Sequence, residues 1–208
     1  AALAEALHAA PTEVLGDLTE ESDERIGEAY SEEVRLLGVS NVDGFCDPKG
    51  RIGKHPERYK IIREGYLAYN PMRINIGSIG VAVDVTDEGI TSPDYVVFRC
   101  RNGVLPEYVY HYLRSEAGRH QINLKTKGSV RFRLYYKQLA GIPIPVPEDI
   151  DLQVRFAALC RRLESIRKRS GGIATSAERA LDAMRREAFL HEQLEAMHNG
   201  TAKEAVRG

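Results

Sequence analysis

The sequence predicts an α+β fold in which a twisted mixed or antiparallel sheet with short helices precedes a long coiled-coil-type helical arm. Short segments rich in β-branched and aromatic residues follow one another between residues 36 and 99, separated by turn signals. Residues 141–147 alternate proline with aliphatic residues, and residues 149–197 are almost entirely helix-forming. We therefore predict an acidic helical segment over 1–33, an α+β domain over 34–147, a helical spacer over 148–198 and a flexible tail over 199–208.

Five segments of the α+β domain have the composition of strands. Asp43-Gly44, Glu64-Gly65 and Asn102-Gly103 are turn signals beside them. Gly77 and Gly80 indicate a bend or bulge inside the fourth segment. The five predicted strands are Leu36–Val39, Tyr59–Ile62, Tyr66–Tyr69, Ile74–Val85 and Asp94–Arg99.

A helix is predicted over Pro106–Gln121. Pro106 suits a first helical position, and Gly118 is a candidate terminator. After it, residues 129–135 alternate like a half-buried strand. Val130, Phe132 and Leu134 point to one side, and Ser129, Arg131, Arg133 and Tyr135 point to the other.

The spacer carries apolar residues at three- and four-residue intervals, which is the spacing of a coiled coil. A stripe of this length needs a partner surface, supplied by another helix of this chain, a second copy or a different protein. Gly171-Gly172 interrupts it, at about 1 kcal/mol per glycine relative to alanine. The result is either two helical segments with a hinge or one long helix with a weak point. The candidate partner-binding residues are Leu152, Phe156, Leu159, Leu163, Ile166, Ile173 and Met184.

Charge is unevenly distributed along the 208 residues, although the net charge is only -1. Residues 1–33 contain ten acidic residues and one basic residue, whereas residues 34–147 contain ten acidic and seventeen basic ones. Between Arg119 and Lys137 there are six basic residues and no acidic one. An unneutralised positive field favours nucleic-acid contact, and a solvated basic face is the alternative.

The composition is that of a globular protein, with 43% hydrophobic and 28% charged residues. The longest apolar run has five residues, far short of the roughly 20 that a membrane span needs, so no membrane contact is expected. Cys46, Cys100 and Cys160 are too scattered for a zinc site, which favours reduced thiols in a cytoplasmic protein.

Motifs for catalysis are not found. The sequence lacks a phosphate loop, a GxGxxG turn, HExxH and GxSxG. Asn70-Pro71-Met72-Arg73 is interpreted as a turn rather than a catalytic loop. We therefore expect a non-enzyme with no catalytic residue, no metal and no cofactor of its own.

Three stretches, taken in order, resemble the DNA-specificity subunit of type I restriction-modification systems. Their order and spacing match one target-recognition domain, here 34–147, followed by one helical spacer. The resemblance implies a cytoplasmic host-defence protein that reads one half of a bipartite DNA site and docks methyltransferase subunits for DNA methylation. S-adenosylmethionine then belongs to the methyltransferase, and the presence of a restriction motor subunit is left open. The stretches are Tyr69–Gly80, Ser92–Phe98 and Gly128–Leu134, closing on Ile142–Pro147.

The resemblance also implies spacers that pair antiparallel. The usual subunit has two recognition domains and two spacers, whereas this chain has one of each. It is either a half-subunit that self-associates through its arm or a piece of a longer chain. A coiled-coil assembly adaptor without DNA specificity is the competing hypothesis.

Candidate DNA contacts fall into two groups. The first consists of Arg131, Arg133 and Ser129 on one strand face, with Lys125 and Lys127 in the preceding loop. The second consists of Arg73 and Asn75, which share strand parity. A solvated loop is the alternative for the two lysines, and an internal ion pair is the alternative for Arg73.

Overall fold

The structure is a computed structural model of the chain. It describes residues 3, 7, 9–48, 50, 52–101, 103–126, 132–169 and 175–189. The described residues form strands β1 (Thr12–Val14), β2 (Thr19–Ser22), β3 (Leu36–Ser40), β4 (Gly44–Cys46), β5 (Lys60–Ile62), β6 (Tyr66–Tyr69), β7 (Ile79–Val81), β8 (Gly89–Thr91), β9 (Val96–Cys100) and β10 (Pro143–Pro145). The α-helices are α1 (Leu15–Leu18), α2 (Pro106–Arg114), α3 (Glu116–Thr126), α4 (Tyr136–Ala140), α5 (Ile150–Arg169) and α6 (Thr175–Phe189).

Two four-stranded sheets and a two-stranded ribbon confirm the predicted α+β class. The first sheet is antiparallel, in the order β2-β9-β6-β7, and the second is mixed, in the order β4-β3-β8-β5. The ribbon pairs β1 with β10.

The antiparallel sheet is the middle layer of the molecule, because its side chains alternate between two cores. Leu67, Tyr69 and Phe98 point into the main core, which the helices cover. Ala68 and Val97 point the other way, into a smaller core shared with Leu37 and Ile62 of the mixed sheet, among others. The sheet is therefore fixed on both faces, and only its ends and loops are available for binding.

The predicted strand over Ile74–Val85 is wrong for most of its length. Residues Ile74–Ile76 and Val85–Asp87 are 3₁₀ turns, and only Ile79–Val81 is a strand. Gly77 ends the first turn with φ of 85°, a left-handed conformation that favours glycine. The β-branched composition was the misleading signal, since Ile74 is buried from a turn rather than from a sheet.

The predicted helix over Pro106–Gln121 is two helices broken at Ser115. The Ser115 Oγ accepts a hydrogen bond from the Gly118 N–H at 3.0 Å, so Ser115 caps α3. Gly118 lies inside α3 instead of ending a helix. A Cβ there would lie 2.1 Å from the Tyr112 carbonyl oxygen, so the glycine permits the close approach of α2 and α3.

The alternating prolines of residues 141–147 allow an extended edge strand or a stiff polyproline connector, and the structure has the edge strand. The Pro143–Pro145 strand pairs with β1, and Ile142, Ile144 and Val146 are buried. The main core contains residues from the predicted N-terminal segment, the α+β domain and the spacer. The domain bounds stay predictions.

A long projecting arm is not confirmed. Helices α5 and α6 run antiparallel, because Phe156 contacts Phe189 with ring centroids 5.4 Å apart while Glu164 lies 3.3 Å from Arg185. Phe156 also contacts Tyr108 of α2 at 5.6 Å. The two helices therefore find their partner surface in the chain itself. Gly171 and Gly172, between them, lie outside the described residues.

Candidate nucleic-acid interface

Three loops distant in sequence meet at one end of the antiparallel sheet. Strand β6 ends at Tyr69, and its antiparallel neighbour β9 begins opposite it at Val96. The loop after β6 and the loop before β9 therefore leave the same edge. A third segment joins them, because the Leu134 N–H donates a hydrogen bond to the Pro71 carbonyl at 3.0 Å.

The loop after β6 is a fixed turn, as its sequence predicts. The Arg73 N–H donates to the Asn70 carbonyl at 3.0 Å, and the Met72 N–H donates to Asn70 Oδ1 at 3.0 Å. The Ser78 N–H returns to the Arg73 carbonyl at 3.2 Å. Met72 is 51% exposed and Arg73 is also exposed, so a braced backbone presents both side chains to solvent.

The three loops enclose a groove of about 410 Å³, which we call the loop-end groove. Its positive side chains are Arg133 and Lys60, and its acidic ones are Glu21 and Asp94. Lys60 is ion-paired with Asp23 at 3.0 Å, so its charge is already balanced. Asn70, Met72, Tyr95 and Tyr135 supply polar and apolar contact surface.

A second hollow, the adjoining depression, lies beside the loop-end groove and has a volume of about 370 Å³. The two share Asn70 and Tyr95. Burial raises the pKa of Tyr95, so its phenol stays protonated at neutral pH. Arg73 lines this depression. Together, the loop-end groove and the adjoining depression form the loop-end face.

The loop-end face carries two exposed arginines, Arg73 and Arg133. Arg133 donates from Nη1 to the Tyr135 phenol oxygen at 3.2 Å, and Tyr135 is itself 50% exposed. Among the described residues, neither Arg73 nor Arg133 forms an ion pair with a carboxylate. The alternative of an internal ion pair for Arg73 therefore has no support in the described part of the chain.

The predicted site residues are only partly brought together. Residues 132–135 form no strand, although Arg133 and Tyr135 are exposed and Leu134 is buried as the alternation predicted. The predicted strand parity of Arg73 and Asn75 is wrong, because Arg73 ends a turn and Asn75 lies half-buried in the 3₁₀ turn.

The loop predicted to hold Lys125 and Lys127 is not found among the described residues. Lys125 belongs to α3 rather than to a loop, and its ammonium lies beside Gly141. It is not among the described residues lining the loop-end groove. Lys127, Ser129 and Arg131 lie outside the described residues.

Sequence reasoning missed Asn70 and Tyr95 as site residues. Both belong to stretches that carried the family resemblance, and Ser92-Pro93-Asp94 is a turn signature. The missing information was the pairing of β6 with β9, which places two turns about 20 residues apart in sequence at one edge of the sheet.

The predicted partner-binding residues lie on different faces of the helical pair. Phe156 is fully buried, so it packs against this chain, and Leu163 and Met184 pack half-buried against the same core. Leu159 and Ile166 are 41% and 37% exposed, and Leu152 is half-buried. Ile173 lies outside the described residues.

The described residues hold no group of three His, Cys, Asp or Glu side chains arranged to bind a metal ion. None of the helices in the described ranges has the length and apolar character needed to cross a membrane.

No protein-family model matches the sequence, and no curated protein is significantly similar to it. Solved structures are similar. An HsdS subunit from Thermoanaerobacter tengcongensis superposes with a TM-score of 0.56 at 23% identity, over 76% of this chain and 44% of that one. A chain from a structure of type I R-M complex assembly gives a TM-score of 0.52 at 17% identity, over 86% of this chain and 45% of that one.

The type I restriction-modification S subunit from M. genitalium gives a TM-score of 0.50 at 15% identity, over 89% of this chain and 47% of that one. The chain thus spans less than half the length of each of these proteins. It shares the fold of the HsdS specificity subunits of type I restriction-modification systems, over slightly less than half of their length.

Proposed function

We propose that this chain is a non-catalytic DNA-recognition subunit that reads one half of a bipartite site for a type I restriction-modification system. The convergence of three loops on the loop-end face carries the proposal. It sets Arg73 and Arg133, neither of which forms an ion pair within the described residues, on a sheet end that is packed on both faces. Rigid support of this kind is what precise contact with base edges requires.

The chemistry of the loop-end face favours base reading over simple attachment to phosphates. Arginine to guanine is the commonest specific contact in the major groove, and asparagine pairs with adenine. Arg73 and Asn70 belong to one braced turn and supply both groups. Glu21 and Asp94 in the loop-end groove repel phosphates and are acceptors suited to the cytosine amino group.

Partner subunits follow from the proposed role. Methyltransferase subunits, which would carry S-adenosylmethionine, are the expected partners, with or without a restriction motor. One flank of α5 is the candidate docking surface, because Leu159 and Ile166, two turns apart, are 41% and 37% exposed there. Self-association through this helix would join two half-site readers.

DNA binding tests the proposal directly. A target is first selected from a pool of randomised duplexes, and binding is then measured against excess competitor at several salt concentrations. Arg73→Ala and Arg133→Ala should each weaken specific binding by about 1–3 kcal/mol if they read bases, with relaxed sequence preference. If they hold phosphates, binding should weaken uniformly and the salt slope should fall by about one unit.

Arg162→Ala is the matched control, because Arg162 is an exposed arginine on α5 away from the loops. It should bind DNA like the wild type. Wild-type affinity and specificity in a double variant of Arg73 and Arg133 would reject this site.

A map of methylated bases in cells tests the role. With the methyltransferase present throughout, removing this chain should erase methylation at one bipartite motif. A palindromic motif would indicate two copies of this chain, and an asymmetric motif would indicate a second recognition domain. An unchanged map would contradict the specificity role.

An assembly adaptor without DNA specificity is the second candidate. The exposed apolar residues of α5 favour it, since they suit a protein partner equally well. Under this hypothesis, light scattering detects self-association while randomised duplexes yield no selected sequence.

A further inference from the structure

A second basic site lies away from the loop-end groove, where α2, α3, α5 and α6 approach the β3–β4 turn. It is a pocket of about 250 Å³, which we call the arginine pocket. Arg114, Arg119 and Arg185 line it, together with Glu164 and Asp182. Three guanidiniums against two carboxylates leave one positive charge unneutralised.

Arg185 is held in the wall of this pocket. It is only 5% exposed, and its Nη2 donates to His111 Nδ1 at 3.0 Å and to Glu164 at 3.3 Å. Its Nε is buried and has no hydrogen-bond partner among the described residues, so they do not fully satisfy the guanidinium.

Arg114 is held in place beside Arg185, and both side chains are positively charged. Its Nη2 donates to the carbonyls of Asn41 at 2.8 Å and Val42 at 3.3 Å, and its guanidinium lies 5.0 Å from the centroid of the Tyr110 ring. Burial, and then repulsion from Arg114 among nearby charges, lowers the pKa of Arg185. The pocket therefore holds two repelling cations in place.

Arg119 completes the pocket at its mouth. It is exposed, and within the described ranges it forms no ion pair with a carboxylate. The Arg119 guanidinium is therefore available to donate hydrogen bonds to a ligand.

We propose that the arginine pocket binds a tetrahedral phosphate oxyanion. Guanidinium groups match phosphate geometry through paired N–H donors, and an anion would relieve the repulsion between half-buried Arg114 and buried Arg185. The phosphate comes either from inorganic phosphate or from the backbone of bound DNA. The second source rests on the proposed function.

The arginine pocket adjoins the loop-end face, so DNA bound to that face is a sterically reasonable source of the phosphate. The arginine pocket shares Asn41 with the adjoining depression, which in turn shares Asn70 and Tyr95 with the loop-end groove. A duplex lying along these three hollows would pass its backbone over the arginine pocket. Phosphate contacts of this kind fix the register of a protein on DNA.

Titration calorimetry with inorganic phosphate, at ionic strength held constant with chloride, tests the site on the full chain. The wild type should bind one phosphate with a Kd of about 1 mM or tighter. Arg119→Gln should weaken binding at least about tenfold, a loss of one strong charge-assisted contact. Arg162→Gln, an exposed arginine outside the pocket, should not.

Arg185→Lys is the second variant, because it keeps the charge and removes the forked guanidinium. With wild-type circular dichroism it should also bind phosphate more weakly. Absence of saturable phosphate binding by the wild type, or equal binding by Arg119→Gln and the wild type, would overturn the proposal.

A DNA-binding measurement distinguishes the two sources of phosphate. A salt slope reduced by about one unit in Arg119→Gln, together with competition by inorganic phosphate, identifies a backbone phosphate as the occupant. An unchanged slope with lost phosphate binding identifies free phosphate. A wild type that binds phosphate but selects no DNA would contradict the proposed function and leave the arginine pocket established.

Discussion

His111 is fully buried between aromatic rings and a cation. Its ring lies 4.9 Å from that of Tyr110 and 5.9 Å from that of Phe156, and its Nδ1 accepts a hydrogen bond from Arg185. The proton of the neutral ring is therefore on Nε2. Burial, and then the charge of Arg185, holds the pKa of His111 well below its ordinary value of 6.5.

This burial predicts a pH-dependent stability. Below pH 6.5, His111 takes up a proton in the unfolded chain but stays neutral in the folded chain. The free energy of unfolding should therefore fall as the pH falls. For each pH unit below 6.5, His111 should lower the free energy of unfolding by up to about 1.4 kcal/mol. Urea unfolding of His111→Asn between about pH 7.5 and 5.5 should show a flatter dependence than the wild type.

His120→Asn is the matched control, because it changes an exposed imidazole on α3. It should retain the wild-type dependence. Parallel curves for His111→Asn and the wild type would contradict the assignment.

Individual residues were predictable where local chemistry decides their conformation. Asn70-Pro71 is a turn because the Asn side chain caps its own backbone. Arg133 is exposed and Leu134 is buried because extended backbone alternates even where no strand partner is present. Tyr95 escaped prediction because its role depends on Asn70, which only the tertiary fold brings near.

Helix α5 has a buried inner face and an exposed outer face. The partner-binding residues predicted from the heptad spacing include residues of both faces. Phe156 and Cys160 are fully buried, whereas Leu159 and Ile166 are exposed. A three- and four-residue spacing specifies that a helix is amphipathic, but not what covers it. Here the aromatic residues of α2 and α6 cover the inner face.

The two faces predict different costs of truncation. Phe156→Ala should destabilise the protein by about 3–5 kcal/mol, because it removes a ring buried against Tyr108, His111 and Phe189. Leu159→Ala, on the same helix, should cost well under half of that amount. Denaturant unfolding measures both.

Partner binding should respond in the opposite order. Leu159→Ala should weaken binding to a methyltransferase subunit or a second copy, if α5 docks there. Equal destabilisation by the two substitutions would place Leu159 inside the core and contradict the orientation of α5.

The elements that sequence predicted well are those whose pattern and environment agree. Strand Tyr66–Tyr69 was predicted with correct bounds, since aromatic and aliphatic residues there occupy a central strand packed on both faces. The segment Ile74–Val85 has similar composition but contains Gly77 in a left-handed conformation, so within it only Ile79–Val81, after that glycine, pairs as a strand.

The main core joins segments that are far apart in the sequence. Leu15 of the N-terminal segment, Ile144 of the connector and Phe156 of the spacer belong to the same cluster of buried side chains. The charge partition of the sequence suggested separate segments, but charge reports on surfaces and not on which apolar residues share an interior.

A shared core predicts cooperative unfolding. Leu15→Ala should lower the free energy of unfolding by about 2–5 kcal/mol. The loss should appear in a single transition followed equally by far-ultraviolet circular dichroism and by tyrosine absorbance. Two separated transitions, with Leu15→Ala shifting only one, would show that the predicted domains fold independently.

The pairing of β1 with β10 sets Thr12 opposite Pro145, and the Tyr108 hydroxyl donates to the Pro145 carbonyl at 2.8 Å. The start and the end of the stretch 12–145 therefore lie side by side. A stretch with neighbouring ends can be grafted into a longer polypeptide without stretching the flanking chain. Under the proposed function, its loops can diversify to read new sequences while the graft points keep the same separation, so a change of specificity requires no geometric adjustment of the flanking chain.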